Sequence, residues 1–367
     1  MRVGIDARFL THPQRGGFKS YTRTVVSALT EAGSDHEFIL YVDRRPEGEQ
    51  DAPANFSTRV VDAGNAVTRE QVALPMAMQR DKVDVAHFLC NTGPFLTGPR
   101  MVVTIHDTIP LRTCLSRQAS WKQRLLRSYW RSVIPRAARA ADLIIADSKY
   151  VRDDLGERFG IGDDRLRVVP LAIAPMFFGD SPGTPPVGIN PESPFVLAFG
   201  SADGRKNHMS AIQAFDAIAP EFPGLKMVLI CSHPDVRETL WPNGTVIPVG
   251  PVNSMELLWL YRNATMLVFP SFDEGFGLPP LEAMACGTPV VASTAGSVPE
   301  VVGDHGVFVD PSSVASIADG IKRLLGDRGL QRRLSSGGKQ HASNYSLARM
   351  GADLIAVYQE AVDRDRQ

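Results

Sequence analysis

The sequence predicts an α/β chain made of two doubly wound parallel sheets. Three observations predict it: short apolar β-type runs alternate with helix-length amphipathic segments, the alternation stops and restarts once, and a proline- and glycine-rich stretch separates the two series. The first series reads "RVGID", a helix across "SYTRTVVSALTEAG", then "EFILYV", "VDVAHF", "MVVTIHD", "ADLIIADS" and "RLRVVPL". The second opens after residue 194 with "FVLAFG", a helix from about Met209 to Ile218, then "KMVLIC", "GTVIPVG", "ATMLVFP", "TPVVAS" and "GVFVD". Between them, "GDSPGTPPVGINPESP" carries five prolines and three glycines, which disfavour both helix and ladder pairing. The expected organisation is a first domain at 1–178, a linker at 179–194 and a second domain at 195–346. A tail at 347–367 follows, whose helix from Leu347 to Asp363 places Met350, Leu354, Val357, Tyr358 and Ala361 mostly on one face.

Composition narrows the class. A chain of 367 residues exceeds what one core usually covers, which favours two domains. With 44% hydrophobic and 22% charged residues and a net charge of -1, nothing points to nucleic acid as a partner. Cys90, Cys114, Cys231 and Cys286 are scattered and form no CxxC pair, which suits a reducing compartment and argues against a structural zinc site. The opening "MRVGIDARFL" reads as a strand rather than a leader, and no run of 18 apolar residues occurs, so the expected location is the cytoplasm.

The chemistry concentrates in "PSFDEGFGLPPLEAMACG". A buried strand ends there, a loop with Glu274, Gly275 and Gly277 follows, and a helix begins on Pro279 and Pro280 and stops before Gly287. Ligands of open α/β sheets bind beyond the carboxyl ends of the strands. Two glycines let backbone N–H groups come close to a ligand, and a helix start favours an anion such as phosphate. A carboxylate beside phosphate is repelled by it, so Glu274 is better suited to accept hydrogen bonds from hydroxyl groups. Glu282, early in the helix, can reach a second diol beyond the phosphates. Taken singly, either residue has an equally good structural explanation, because glutamates are favoured in first helical turns. Together they fit a hexose, a pyrophosphate and a ribose in line.

A second group is "FGSADGRKNHMSAIQAF", where Arg205 and Lys206 stand between a strand and a helix. A forked guanidinium and an ammonium there can neutralise a pyrophosphate, although an isolated basic pair is also a common solvated loop cap.

These motifs, Glu274 and Glu282 in an E-x7-E spacing with "GSVPEVVGDHGVFVDP" after them, resemble the retaining GT-B glycosyltransferases of family four, also called glycosyl transferase group 1. The resemblance is strongest over about 193–325 and weaker over nearly the whole chain. It implies a GT-B fold, two Rossmann-like domains facing a cleft, with the donor on the C-terminal domain, the acceptor mainly on the N-terminal one, and a last helix that crosses back. It also implies that Lys206, with Arg205, contacts the donor phosphates, and that Glu274, Gly275, Phe276, Gly277, Leu278 and Glu282 hold the nucleotide sugar. Many members carry Arg directly after the strand glycine, where this chain has Ser201.

In the first domain, "QRGGFKSYTR" is no GxGxxG fingerprint. The resemblance makes Gly16 and Gly17 a loop near the donor phosphate and the acceptor, while the sequence alone allows an ordinary turn. "TIHDTIPL" ends an apolar strand on His106, which the resemblance places against hydroxyls of the transferred sugar. Residues 116–140 carry seven Arg or Lys and no acid. Arg117, Arg124, Arg127, Arg131 and Arg139 fall on one side of a helical wheel and Trp121, Leu125, Tyr129 and Val133 on another, with Pro135 expected to interrupt the segment. Such a face is either solvated or suited to an anionic membrane, at the inner side of which the chain would then sit peripherally.

For metal the expectation is none, since the only D-x-D is Asp363-Arg364-Asp365 in the tail. The expected activity is retaining transfer of a hexose, with mannose as candidate. The donor is a GDP- or UDP-linked sugar and the acceptor a hydroxyl of a glycan or lipid-linked molecule, in polysaccharide or glycoconjugate synthesis, with no further cofactor. The alternatives are a catalytically silent sugar-nucleotide-binding protein or another GT-B enzyme such as a nucleotide-sugar epimerase.

Overall fold

The computed structural model describes residues 1–12, 16–33, 35–44, 55–112, 121–231 and 244–364. The chain divides into two compact units, one made of Met1–Ala172 with Leu347–Gln367, the other of Ile173–Ser346.

The first unit holds a parallel sheet of seven strands, β1 (Arg2–Asp6), β2 (Glu37–Val42), β3 (Phe56–Val60), β4 (Val85–Phe88), β5 (Arg100–Ile105), β6 (Leu143–Ala146) and β7 (Leu166–Val168), in the order β3-β2-β1-β4-β5-β6-β7. Strands covered on both faces must be apolar throughout, which is why "FILYV" is buried at every residue. Val3, Ile5, Phe38 and Leu40 face one core layer and Ile39, Tyr41, Val103 and Ile105 the other. Strand β3 was not legible in the sequence. Its "FSTRV" is an edge strand, exposed after Phe56, and lacks the apolar run.

The helix Leu347–Asp363 packs on the helix Gly17–Glu31 of this unit, with Met350, Leu354, Val357, Tyr358 and Ala361 all buried. The two backbones approach so closely that a Cβ at Gly351 would overlap the Ala28 carbonyl oxygen. Tyr358 hydroxyl lies 2.8 Å from His87 Nδ1 on β4, and Arg167 Nε donates to Glu360 Oε2 at 2.7 Å, so polar bonds fix the C-terminal part of the helix.

Pro135 does not interrupt the basic segment. One helix runs from Trp121 to Ala140 with Pro135 inside it. A proline forfeits one ladder hydrogen bond, and burial of Val133, Ile134, Ala137 and Ala138 on the sheet offsets that loss. Arg131 and Arg139 are exposed, whereas Val133 is buried. Arg117 lies outside the described residues, as do Cys114, Asp365 and the side chains of Trp121, Arg124, Leu125 and Arg127.

The second unit has six parallel strands, β8 (Phe195–Gly200), β9 (Lys226–Cys231), β10 (Val246–Val249), β11 (Met266–Phe269), β12 (Val290–Ser293) and β13 (Gly306–Val309), ordered β10-β9-β8-β11-β12-β13. The order reverses between β8 and β11, so the loops leaving these two neighbouring strands open a crevice at the carboxyl edge. Residues 179–194 lie within this unit rather than between units: Thr184 N donates to Met255 O at 3.0 Å, seating the proline-rich stretch on the helix Ser254–Asn263.

Candidate active site

Both loops at the crevice of the second unit are held rigidly by their own residues. After β8, Asp203 accepts the backbone N–H of Arg205 and starts a short 3-10 turn, Gly204–Lys206. Asn207 follows in the left-handed region at φ 52°. Its buried amide donates to Pro270 O at 3.0 Å and to Pro311 O at 2.7 Å, which spares a polar side chain the cost of unpaired burial. Phe272 N then donates to Arg205 O at 2.8 Å, joining the loop after β8 to the loop after β11.

The second loop, which leads from β11 into the helix Leu278–Ala285, is braced from behind. Ser297 Oγ reaches Glu274 O at 2.9 Å and Phe276 O at 2.7 Å, and Ser297 N donates to Glu274 O at 3.2 Å. Gly296 has φ +63°, and a Cβ there would lie 2.8 Å from Glu274 N, so only glycine lets this brace sit flush against the loop.

On that frame Lys206 Nζ stands 2.6 Å from Glu274 Oε1 and 5.7 Å from the ring centroid of Phe269. Glu274 is buried, and the ammonium is the oppositely charged partner that a buried carboxylate calls for. Arg205 is differently engaged. Its Nε and Nη2 grip Asp203 at 3.1 and 2.5 Å, a bidentate pair that fixes the fork at the rim of the crevice. The sequence contained a signal for this, an Asp two residues before the Arg in a turn.

Glu282 is half-buried in the helix Leu278–Ala285, and its Oε2 accepts a hydrogen bond of 2.8 Å from the hydroxyl of Tyr261. Burial pushes the Glu282 carboxyl up to about 7, with the Tyr261 hydrogen bond pulling the other way. The structure thus brings Arg205, Lys206, Glu274, Gly275, Phe276, Gly277, Leu278 and Glu282 to one edge of one sheet. Tyr261, Ser297, Gly296 and Asn207 complete the arrangement. They were not singled out in sequence because their partners lie 21 to 104 residues away.

The first unit carries the other candidates. Gly16 caps the helix Gly17–Glu31, and both glycines are exposed, with open space where their Cβ atoms would be. Phe18, next in the chain, lies 5.5 Å from the ring of His106, and Tyr21 meets that ring edge-on at 4.4 Å. His106 is fixed on every side: its backbone N donates to Asn91 Oδ1 at 2.7 Å, Nδ1 lies 2.6 Å from Asp147 Oδ2 and Nε2 lies 2.9 Å from Leu89 O. Two acceptors call for two ring protons. Burial works against a charged ring, but the Asp147 charge and hydrogen bond, aided by the Leu89 carbonyl, carry the imidazole above its ordinary value. In this conformation no ring N–H remains for a sugar hydroxyl, so the hydrogen bond expected of His106 in sequence is not open to it.

At the same edge, a buried ionic network starts on Asp6. Arg8 Nε donates to Asp6 Oδ2 at 2.7 Å and Arg69 Nη1 to Asp6 Oδ1 at 2.9 Å, while Glu70 accepts from Arg8, Thr92 and Tyr129. Burial alone would raise the Asp6 carboxyl, and the two guanidinium groups hold it below the usual range instead. No sequence pattern announced this network, because Arg69 and Glu70 are brought in by a π-helical turn, Arg69–Ala73. Among the described residues there is no cluster of three or more His, Cys, Asp or Glu able to hold a metal ion.

Comparison with known proteins accords with these two halves. The model of glycosyl transferases group 1 matches residues 184–341, and that of glycosyltransferase family 4 matches 15–175. The chain is 32% identical to the O-antigen chain mannosyltransferase B of Escherichia coli over 71% of its own length and 70% of that protein. It is also 32% identical to the D-inositol 3-phosphate glycosyltransferase of Salinispora arenicola, over 60% of this chain and 55% of that one. In structure it resembles the Anabaena HepE protein in complex with UDP-glucose, with a TM-score of 0.67, 16% identity and coverage of 98% and 99% of the two chains.

Proposed function

The chain belongs to glycosyltransferase family four, with the GT-B type of fold, and from that premise we propose that it moves a hexose, with mannose as candidate, from a nucleoside diphosphate to an acceptor hydroxyl with retained configuration. The observation that carries this reading is the Lys206–Glu274 pair, set at the strand-order reversal beside Gly275–Gly277 and the start of a helix. A donor pyrophosphate entering the crevice offers Lys206 a stronger anion than the carboxylate does. Lys206 moves its charge to the phosphates, and Glu274 is released to accept hydrogen bonds from hexose hydroxyls. Arg205, already oriented by Asp203, adds positive charge at the rim. Glu282 takes the ribose diol.

The bond from C1 to the phosphate oxygen breaks with its electron pair going to the phosphate. The acceptor oxygen bonds to C1 from the same face, and its proton passes to the departing phosphate oxygen. Lys206, Arg205 and backbone amides stabilise the charge that develops there, without a metal ion. The donor is proposed to be a GDP- or UDP-linked sugar, the UDP form supported by the UDP-glucose bound to the Anabaena protein, and the acceptor a glycan or lipid-linked hydroxyl, with a role in polysaccharide or glycoconjugate synthesis for which the O-antigen chain relative speaks. No described helix is long and apolar enough to cross a membrane. The exposed Arg131 and Arg139 of the Trp121–Ala140 helix are the side proposed to meet anionic lipid at the inner face of the membrane.

The test is incubation with UDP- and GDP-hexoses and candidate acceptors. Free nucleoside diphosphate should appear only when acceptor is present, and proton NMR of the product should show the donor's anomeric configuration. Inverted product, or release independent of acceptor, would overturn this reading.

A further inference from the structure

Tyr261 and Glu282 come from different helices, Ser254–Asn263 and Leu278–Ala285, yet meet at 2.8 Å. Tyr261 is fully buried, and its ring packs against Phe177 at 5.7 Å and Phe199 at 6.2 Å. Its carbonyl accepts the Thr288 hydroxyl, so both ends of the residue are held. Burial and the neighbouring Glu282 keep the phenol protonated, which makes it a donor only to the carboxylate. Among the described residues Glu282 Oε1 has no hydrogen-bond partner. A glutamate side chain with one oxygen tied and the other open has lost most of its rotational freedom before any ligand arrives.

We propose that Tyr261 is a positioning residue for nucleoside diphosphate recognition: its hydroxyl clamps Oε2 of Glu282 and so presents Oε1 to the vicinal diol of the ribose. This rests on the reading of Glu282 as the ribose ligand.

The clamp has a second effect. A diol donates two hydrogen bonds best to an ionised carboxylate, and Glu282 sits where burial makes ionisation costly near neutral pH. The Tyr261 hydrogen bond offsets part of that cost. The groups that face the carboxyl are the Tyr261 hydroxyl and, one turn along its own helix, the Cys286 thiol, which in turn faces Arg262 and Lys339. Strands β11 and β12 behind the helix, "MLVF" and "VVAS", carry no titratable side chain, and the short helix Val298–Val302 carries Glu300. Ligand affinity should therefore rise with pH through about 7, and without the clamp the rise should shift to higher pH.

Isothermal titration of UDP and GDP between about pH 6 and 8.5 tests this. Tyr261→Phe should bind on the order of 10-fold more weakly at pH 7, as loss of a hydrogen bond to a charged group predicts, and should recover toward wild type at the alkaline end. Glu282→Gln should lose the pH dependence that remains after the titration of the ligand's own phosphate is subtracted, and should no longer prefer UDP over 2′-deoxy-UDP. If wild type binds and Tyr261→Phe matches it, or is weaker by one constant factor at every pH, the positioning role is overturned. If wild type binds neither diphosphate, the donor-site reading itself fails, and the proposal with it.

Discussion

Lys206 Nζ and Glu274 Oε1 lie 2.6 Å apart although 68 residues separate them in the chain, each delivered by a loop at the reversal of strand order in the second sheet. In the proposed mechanism the ammonium that pairs with the carboxylate passes to the donor phosphates. Lys206→Ala therefore removes a charge from the transition state and also leaves a nearly buried carboxylate unpaired. Turnover should fall by about 10²-fold or more, as loss of one charge-stabilising donor commonly causes. Because both variants break the same pair, Lys206→Ala and Glu274→Ala should be strongly non-additive in kcat/KM. Additive losses would show that the pair does not act as a unit.

The two glutamates should separate in kinetics. If Glu282 holds the ribose as proposed, its contacts are the same in ground and transition states, so Glu282→Ala should weaken the donor and free nucleoside diphosphate alike. Glu274→Ala should lower kcat and leave nucleoside diphosphate affinity nearly unchanged, since the hexose ring changes charge during the reaction. Titration of the diphosphate against both variants, beside steady-state rates, decides. Equal losses of diphosphate affinity would mean that the donor has been placed the wrong way round.

Gly296→Ala tests the brace behind the loop. The left-handed backbone alone costs a non-glycine residue about 1–2 kcal/mol, and the added Cβ would press on Glu274 N. Turnover should drop more than 10-fold with a small loss in Tm, consistent with the sensitivity of catalysis to displacements near 1 Å. Gly188→Ala, at φ +88° with open space around it, is the control and should show only the stability effect.

The His106–Asp147 pair predicts a pH dependence of stability in the first unit. His106 has a folded pKa above its ordinary 6.5, so its contribution is complete below about 6.5 and is lost as pH rises through the higher folded value. Thermal unfolding should show wild-type stability falling over that alkaline range, and Asp147→Asn should lower stability at pH 6 and flatten the profile. An unchanged profile in the variant would remove the ion pair as its source.

Donor binding and transfer should persist in EDTA, because the cationic work is assigned to Lys206 and Arg205. Assays in chelator with and without added magnesium or manganese check this. An absolute dependence on either cation would overturn the assignment.

What the sequence determined by itself was local in origin. Apolar runs, the Pro279-Pro280 helix start and the glycines around Phe276 depend on near neighbours, so the parallel α/β architecture and the placing of Lys206, Glu274 and Glu282 beyond strand ends of the second sheet could be read from the local pattern. The apolar stripe of the last helix was equally legible, and only the fold shows it seated on Gly17–Glu31 through Gly351. Tertiary structure also decided every partner. Lys206 meets Glu274 through the reversal between β8 and β11. Glu282 is held by Tyr261 from another helix, and both ring nitrogens of His106 are taken by Asp147 and Leu89. Hydrogen bonds and ion pairs act over about 3 Å of space and leave no periodic mark in the chain, so partners 17 to 68 residues apart meet only after the sheet of their own unit has formed.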